Sequence, residues 1–405
     1  MGFGGIWYLK NYNAASLILV STAYNTVSNY VLISVPLFIL MGHLSLNAGL
    51  AQKAYSAGFK IVGGLPGGLA MASSIGCGVF AAATGSSAAT AATLGKVAVP
   101  EMKKYGYDSG FACAAVAGGG SIGILIPPSI VLIIYGMITD LSIGKLLIAG
   151  VIPGILTILA IMLVSYFSAI INPKLAPRGP KTSLREKINS MSGLWGFIIL
   201  IVIVLGGIYA GIFTPTEAAA VSAVYAFLIA VFIYRDIRFK DVPKVLTESA
   251  KTTAMLMFSI ANAYLFAFVL TTEQIPQAAS EWIIGLGLPP WGFLIVVNIL
   301  LLVFGNFMEP TSVVLILTPI IFPIATQMGI DPIHLGVMMV LNMQIGLVTP
   351  PVGLNLFVTA SVAKTPMEEV IKAAVPWLIV LFTVLILVTY IPWISLIVPT
   401  LLGVI

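Results

Sequence analysis

Charge is nearly absent from this chain. Asp, Glu, Lys and Arg make up 8% of 405 residues, against about 25% in an ordinary water-soluble domain. A soluble enzyme is excluded, and 59% hydrophobic residues with mean hydropathy +1.09 indicate an all-α polytopic membrane protein. The +5 balance reads as membrane topology rather than as a nucleic-acid footprint. Two cysteines, Cys77 and Cys113, make no disulfide framework, and no CxxC or Cys/His cluster points to metal. The two histidines, His43 and His334, stand alone and read as packed or interfacial residues. HExxH, GxSxG and paired intramembrane acids are missing, which argues against an intramembrane enzyme. No cleavable leader is evident.

The chain is rich in apolar runs separated by basic loops. All 19 Lys and Arg except Lys10, Lys96 and Lys145 fall in five segments, around 53–60, 103–104, 174–187, 235–251 and 364–372. The positive-inside rule assigns these to the cytoplasm. Lys96 reads as a residue that snorkels to that surface beside Lys103. Crossings are expected near 29–48, 109–137, 146–170, 193–213, 216–234, 252–271, 333–360 and 373–397. Two runs must instead return to the side they left. One passes the polar tip Thr84-Gly85-Ser86-Ser87 on its way to Pro100; the other passes "GNFMEPTS" between Pro290 and Pro323. Both read as re-entrant helical hairpins. Such backbone survives at membrane depth only inside protein or beside a watery cavity.

"GGGSIGILIPPSIVLIIYG" and "NMQIGLVTPPVGLNLFVT" each place Pro-Pro in the middle of an apolar span. A proline costs roughly 3 kcal/mol in a helix interior, so both spans are expected to break. A shift of 223 residues superposes them: Pro100 falls on Pro323, Gly106 on Gly329, Asp108 on Asp331, Gly123 on Gly346, and Pro127-Pro128 on Pro350-Pro351. Five crossings separate the two hairpins, and an odd number turns the second copy upside down. An inverted repeat with interrupted helices is the pattern of a secondary transporter. Under the same shift, 14–28 matches 237–251, and both are expected to lie along the membrane surface as arms.

A broken helix frees carbonyls for cations and amides for anions. Hard cations such as sodium take oxygen ligands. One candidate cation site is therefore the first break facing the first tip, with Thr84, Ser86, Ser87, Gly123, Ile126 and Pro128. Its mirror holds Gly305, Glu309, Gly346 and Thr349. Candidate substrate contacts are Ser86, Ser87, Pro310, Thr311, Asn342 and Asn355. Glu309 has two readings, as an ion or substrate ligand and as an N-cap of the half-helix that follows.

The stretches "GSSAATAATLGKVAVPEMKKYGYDSGFACAAVAGGGSIGILIPPS", "MEPTSVVLILTPIIFPIATQMGIDP" and "GIFTPTEAAAVSAVYA" closely resemble the large membrane subunit of TRAP transporters. The resemblance covers nearly everything from about residue 14 onward. It implies sodium-driven import of a small organic anion, a dicarboxylate, sialic acid or keto acid, by an elevator movement in a bacterial inner membrane. It also implies a four-helix small membrane subunit, a periplasmic substrate-binding protein, a sodium ion at each break, and no other cofactor. The second tip departs from an expected Asp-Pro-Thr by one methylene, at Glu309. "MGFGGIWYLK" ahead of the first arm is about half a span where the family has a whole one. Residues 1–65, 138–289 and 361–405 are expected to form the fixed scaffold, and 66–137 and 290–360 the moving domain. The alternative is a stand-alone sodium/dicarboxylate symporter of similar hairpin architecture.

Overall fold

The computed structural model describes residues 2–180 and 182–403; Lys181, one of the basic loop residues, lies outside them. Helix is the only regular secondary structure among the described residues, with no strand among them. Five helices are long and apolar enough to cross a membrane: Ile143–Ile171, Pro215–Ile233, Phe239–Thr272, Pro310–Gln327 and Met367–Tyr390.

Both hairpins form. In the first, Gly68–Thr84 stops at Gly85, which takes the left-handed φ of 58° and donates its amide to Ala81 O. Glycine reaches that conformation without a Cβ clash. Ser86 then caps Ser87–Lys104 by accepting the Ala89 amide. That helix is 18 residues long, about 27 Å, because exposed Pro100 is accommodated inside it rather than ending it. The second hairpin pairs Pro290–Gly305 with Pro310–Gln327, with Glu309 as N-cap and Pro310 as first helical residue.

Both spans carrying Pro-Pro are broken. The first runs Ser109–Ser121, tightens into a 3-10 turn at Ile122–Ile124, and restarts as Ile130–Thr139 under a Ser129 cap. The second runs Pro332–Gly346 and restarts as Leu354–Ala363 after Gly353, again at positive φ. The two copies agree in detail. Gly106 and Gly329 turn the chain at φ 80° and 77°, Asp108 and Asp331 cap the next helix, and both Pro-Pro bonds are cis.

Three expectations need correcting. The segment 237–251 is not a separate arm, because Val242–Thr272 is one continuous helix of 31 residues. In the first copy Asn29 stops Tyr12–Ser28, its side-chain oxygen accepting the Val31 and Leu32 amides. The matching position is Thr252, whose hydroxyl bonds back to Glu248 O and leaves the helix intact. The span expected at 29–48 is instead a pair, Ser34–Asn47 and Leu50–Val62, bent by 63° at Gly49. That expected at 193–213 follows Leu184–Ser192 across a 57° bend.

Packing is continuous across the molecule: Ser34–Asn47 and Leu50–Val62 both lie on Gly68–Thr84, and Val242–Thr272 also touches Pro310–Gln327. Ser34–Asn47 lies against Pro215–Leu228 and Val242–Thr272. The hairpins and broken helices gather with Val151–Ile171 and Met367–Tyr390, which sit mainly on the first hairpin and the two broken helices. Small residues make this closeness possible: Gly154 abuts Ile126, and Gly118 abuts Trp377.

Candidate functional site

The two tips meet at one cavity of about 580 Å³. Thr84 to Ala89 line it from the first hairpin and Glu309 to Ser312 from the second. The wall opposite comes from Ser34–Asn47 (Ile39, Gly42, His43, Leu46) and Val242–Thr272 (Thr252, Met255, Leu256, Ser259). The hairpin helices Ser87–Lys104 and Pro310–Gln327 therefore begin at the cavity, with the positive ends of their backbone dipoles toward it. The second of these is already capped by an acid. Glu309 accepts the Ser312 amide at 3.3 Å and the Thr311 hydroxyl at 2.9 Å. The first, capped by neutral Ser86, is the better cradle for an anion.

Behind the first tip, backbone touches backbone. A Cβ on Gly123 would come within 2.9 Å of Ser86 and Ser87 main-chain atoms, and one on Gly85 would strike Pro128 O. Ser87 Oγ donates to Gly120 O at 3.0 Å and accepts Asn355 Nδ2 at 2.7 Å; the same Asn355 amide also donates to Ala117 O. The second broken helix thus holds the first hairpin's tip. Gln344 joins the two breaks directly, donating to Ser121 Oγ at 3.1 Å. The carbonyl oxygens of Asn355 and Gln344 are buried without a hydrogen-bond partner, which leaves oxygen donors free among neutral groups. Thr84 and Thr90 share a hydroxyl contact of 3.2 Å, and Thr90 donates to Ser86 O.

At the second tip, a Cβ on Gly346 would lie 2.7 Å from Gly305 main chain, and Thr349 donates to Ile345 O. Asn342 is turned away from the cavity, donating to both the carbonyl and the side chain of Asn298. Asn298 in turn donates to Thr389 Oγ1 at 3.2 Å.

Sequence-derived candidates fall into three places. Ser86, Ser87, Glu309, Pro310, Thr311 and Thr84 line the cavity. Gly123, Pro128 and Asn355 support the first tip, while Gly305 and Gly346 meet at the second. The Ile126 side chain packs against Gly78 and Gly154, and Asn342 belongs to the buried Asn298 chain. His43, Thr252, Gln344 and Ser121 were not among the candidates. They lie on segments whose periodicity says only that they are apolar helix, and only the tertiary arrangement brings them to the site. Among the described residues, no three His, Cys, Asp or Glu gather as a metal-binding group.

Comparison with known proteins agrees with this architecture. Residues 3–394 match the family model described as "Tripartite ATP-independent periplasmic transporter, DctM component". The chain is 53% identical over 381 residues to the C4-dicarboxylate TRAP transporter large permease protein DctM of Pseudomonas aeruginosa, covering 94% of this chain and 88% of that one. It is 36% identical to the sialic acid TRAP transporter large permease protein SiaM of Vibrio cholerae, over 93% of this chain and 87% of that one. The crystal structure of the Alcanivorax borkumensis YdaH transporter is similar in fold, with a TM-score of 0.65 at 16% identity, covering 93% of this chain and 87% of that one. The chain belongs to the DctM family of tripartite ATP-independent periplasmic transporters: it is a multi-pass large permease subunit, not an enzyme.

Proposed function

We propose that this subunit imports a C4-dicarboxylate across a bacterial inner membrane, driven by sodium, by moving the hairpins and broken helices as a body past a fixed scaffold. The observation that carries the reading is the cavity closed on one side by both hairpin tips and on the other by Ser34–Asn47 and Val242–Thr272. The dicarboxylate class follows the relative at 53% identity rather than the sialic acid relative at 36%.

The anion binds at the tips, where Ser86 offers a hydroxyl and the first tip offers the free amides of a helix start, the Ser87 and Thr311 hydroxyl protons being held by Gly120 O and Glu309. Pro310, with no N–H, adds shape rather than a donor. Sodium binds behind the tips. The first site draws on the neutral oxygens around Ser86, Ser87 and Pro128; the second lies near Gly305, Gly346 and Thr349, with Glu309 at its mouth. The buried, unpartnered side-chain oxygen of Asn355, whose amide nitrogen is bonded to Ser87, supports a cation behind this tip. Holding the tip through Asn355 couples the ion's presence to the anion's cradle.

The moving body takes in Val151–Ile171 and Met367–Tyr390 as well as 66–137 and 290–360, because those helices pack on it. Ser34–Asn47, Pro215–Leu228 and Val242–Thr272 stay fixed, with the small membrane subunit joined to them and a periplasmic binding protein delivering the cargo. The test is uptake of fumarate into proteoliposomes holding the complete transporter. A sodium gradient should drive saturable accumulation; equal uptake under a potassium gradient would exclude sodium coupling.

A further inference from the structure

The site described above has to hold an anion, yet none of its lining residues is Lys or Arg. Of the described side chains lining the cavity, only two are acidic or basic, Glu309 on the moving side and His43 on the fixed side. We propose that His43, in its protonated form, is the scaffold's counter-charge for the carboxylate cargo, so that anion and proton bind together.

The geometry suits this role. His43 follows Gly42, where a Cβ would stand 3.1 Å from Thr84 Cα, so the histidine sits beside the first hairpin's tip. Thr252 Oγ1 donates to Glu248 O at 3.1 Å and therefore accepts from His43 Nε2, 3.3 Å away. That bond fixes the ring between two scaffold helices and puts a proton on Nε2. Nδ1 is buried and has no partner, so a second proton there breaks no bond but needs an acceptor, which the bound anion supplies. Reciprocity then requires that proton and anion each tighten the other.

The remaining charges near His43 are few. Val242–Thr272 brings Glu248 and Lys251, and the opposite side of the cavity brings Glu309. Gly68–Thr84, Ile130–Thr139 and Ile229–Ile233 carry none. Leu50–Val62 carries Lys53, paired with Asp236, and Lys60. On Pro215–Leu228 Glu217 is spent on capping Thr214. The inference rests on the transport reading and adds which residue meets the anion from the scaffold.

Fumarate is the probe, since both its carboxylates are ionised throughout the range tested. Uptake kinetics are measured in proteoliposomes of the complete transporter at about pH 6 and about pH 8. In the wild type, KM should rise on the order of tenfold between the two with little change in kcat. His43→Gln should give a KM that no longer depends on pH and is close to the wild-type value at pH 8. His43→Lys should keep KM low at both. A His43→Gln profile that tracks the wild type overturns the assignment and leaves sodium-driven transport standing. Inserted His43→Gln protein without uptake is decided by His43→Lys: recovery supports the charge, and failure to recover overturns it. No sodium-driven fumarate uptake by the wild type removes the transport reading and this inference together.

Discussion

Single residues act here mostly by being small or by holding a neighbour. Gly123 and Gly346 are the clearest cases, because a Cβ at either would fall under 3.0 Å from main-chain atoms of a hairpin. Main chain cannot swing aside as a side-chain end does, and overpacking of this kind costs about 1–3 kcal/mol. Gly123→Ala and Gly346→Ala should each lower sodium-driven uptake on the order of tenfold while membrane insertion is unchanged. Gly285→Ala, with open space around it, should transport normally. Equal uptake by all three would mean that the close contacts do not matter to the site. Asn355 holds rather than fills. Asn355→Leu removes the bond to Ser87 and to Ala117 O, a loss of about 1–3 kcal/mol at a buried site. The expected result is faster hydrogen exchange at residues 84–90, with the sodium concentration for half-maximal uptake raised several-fold. Unchanged exchange at that tip would contradict the holding role. The glycines were legible from sequence because they recur beside Pro-Pro at the same offset. Gln344 and His43 were not, since one polar residue on an apolar helix carries no sign of what faces it.

At the level of elements, the punctuation was readable and the continuity was not. Pro-Pro, the Asp caps and the tip Gly85 announced breaks and hairpins that the fold contains. Pro100 and the charged stretch at 237–251 announced interruptions that it lacks. One proline in a helix forfeits a single hydrogen bond, and Thr252 satisfies its hydroxyl within the helix where Asn29 ends one. Packing also ties the Met367–Tyr390 helix to the second hairpin through Asn298, Asn342 and Thr389. Cysteines replacing Asn298 and Thr389, in a background with Cys77 and Cys113 changed to Ala, should therefore cross-link without loss of uptake, as a bond inside one moving body does. Loss of uptake that reduction reverses would place Met367–Tyr390 with the scaffold, as its position in the sequence first suggested.

For the whole molecule, the proposed elevator movement carries the hairpin tips past the helix Ser34–Asn47. The face where the two bodies meet includes Gly42 against Thr84, with the cavity beside it. An elevator needs this face to slide, whereas a local gate needs only the tips to open. The most direct measurement is a cross-link across it. Cysteines replacing Gly42 and Thr84, in the same Cys77/Cys113-free background, are joined by an oxidant, and sodium-driven uptake is followed before and after reduction. With an elevator movement the bond stops uptake almost completely and reduction restores it, while the Asn298/Thr389 bond in parallel vesicles changes nothing. Uptake that continues with Gly42 and Thr84 positions fully cross-linked would contradict it, and would assign transport to a gate at Ser86, Ser87 and Glu309 instead.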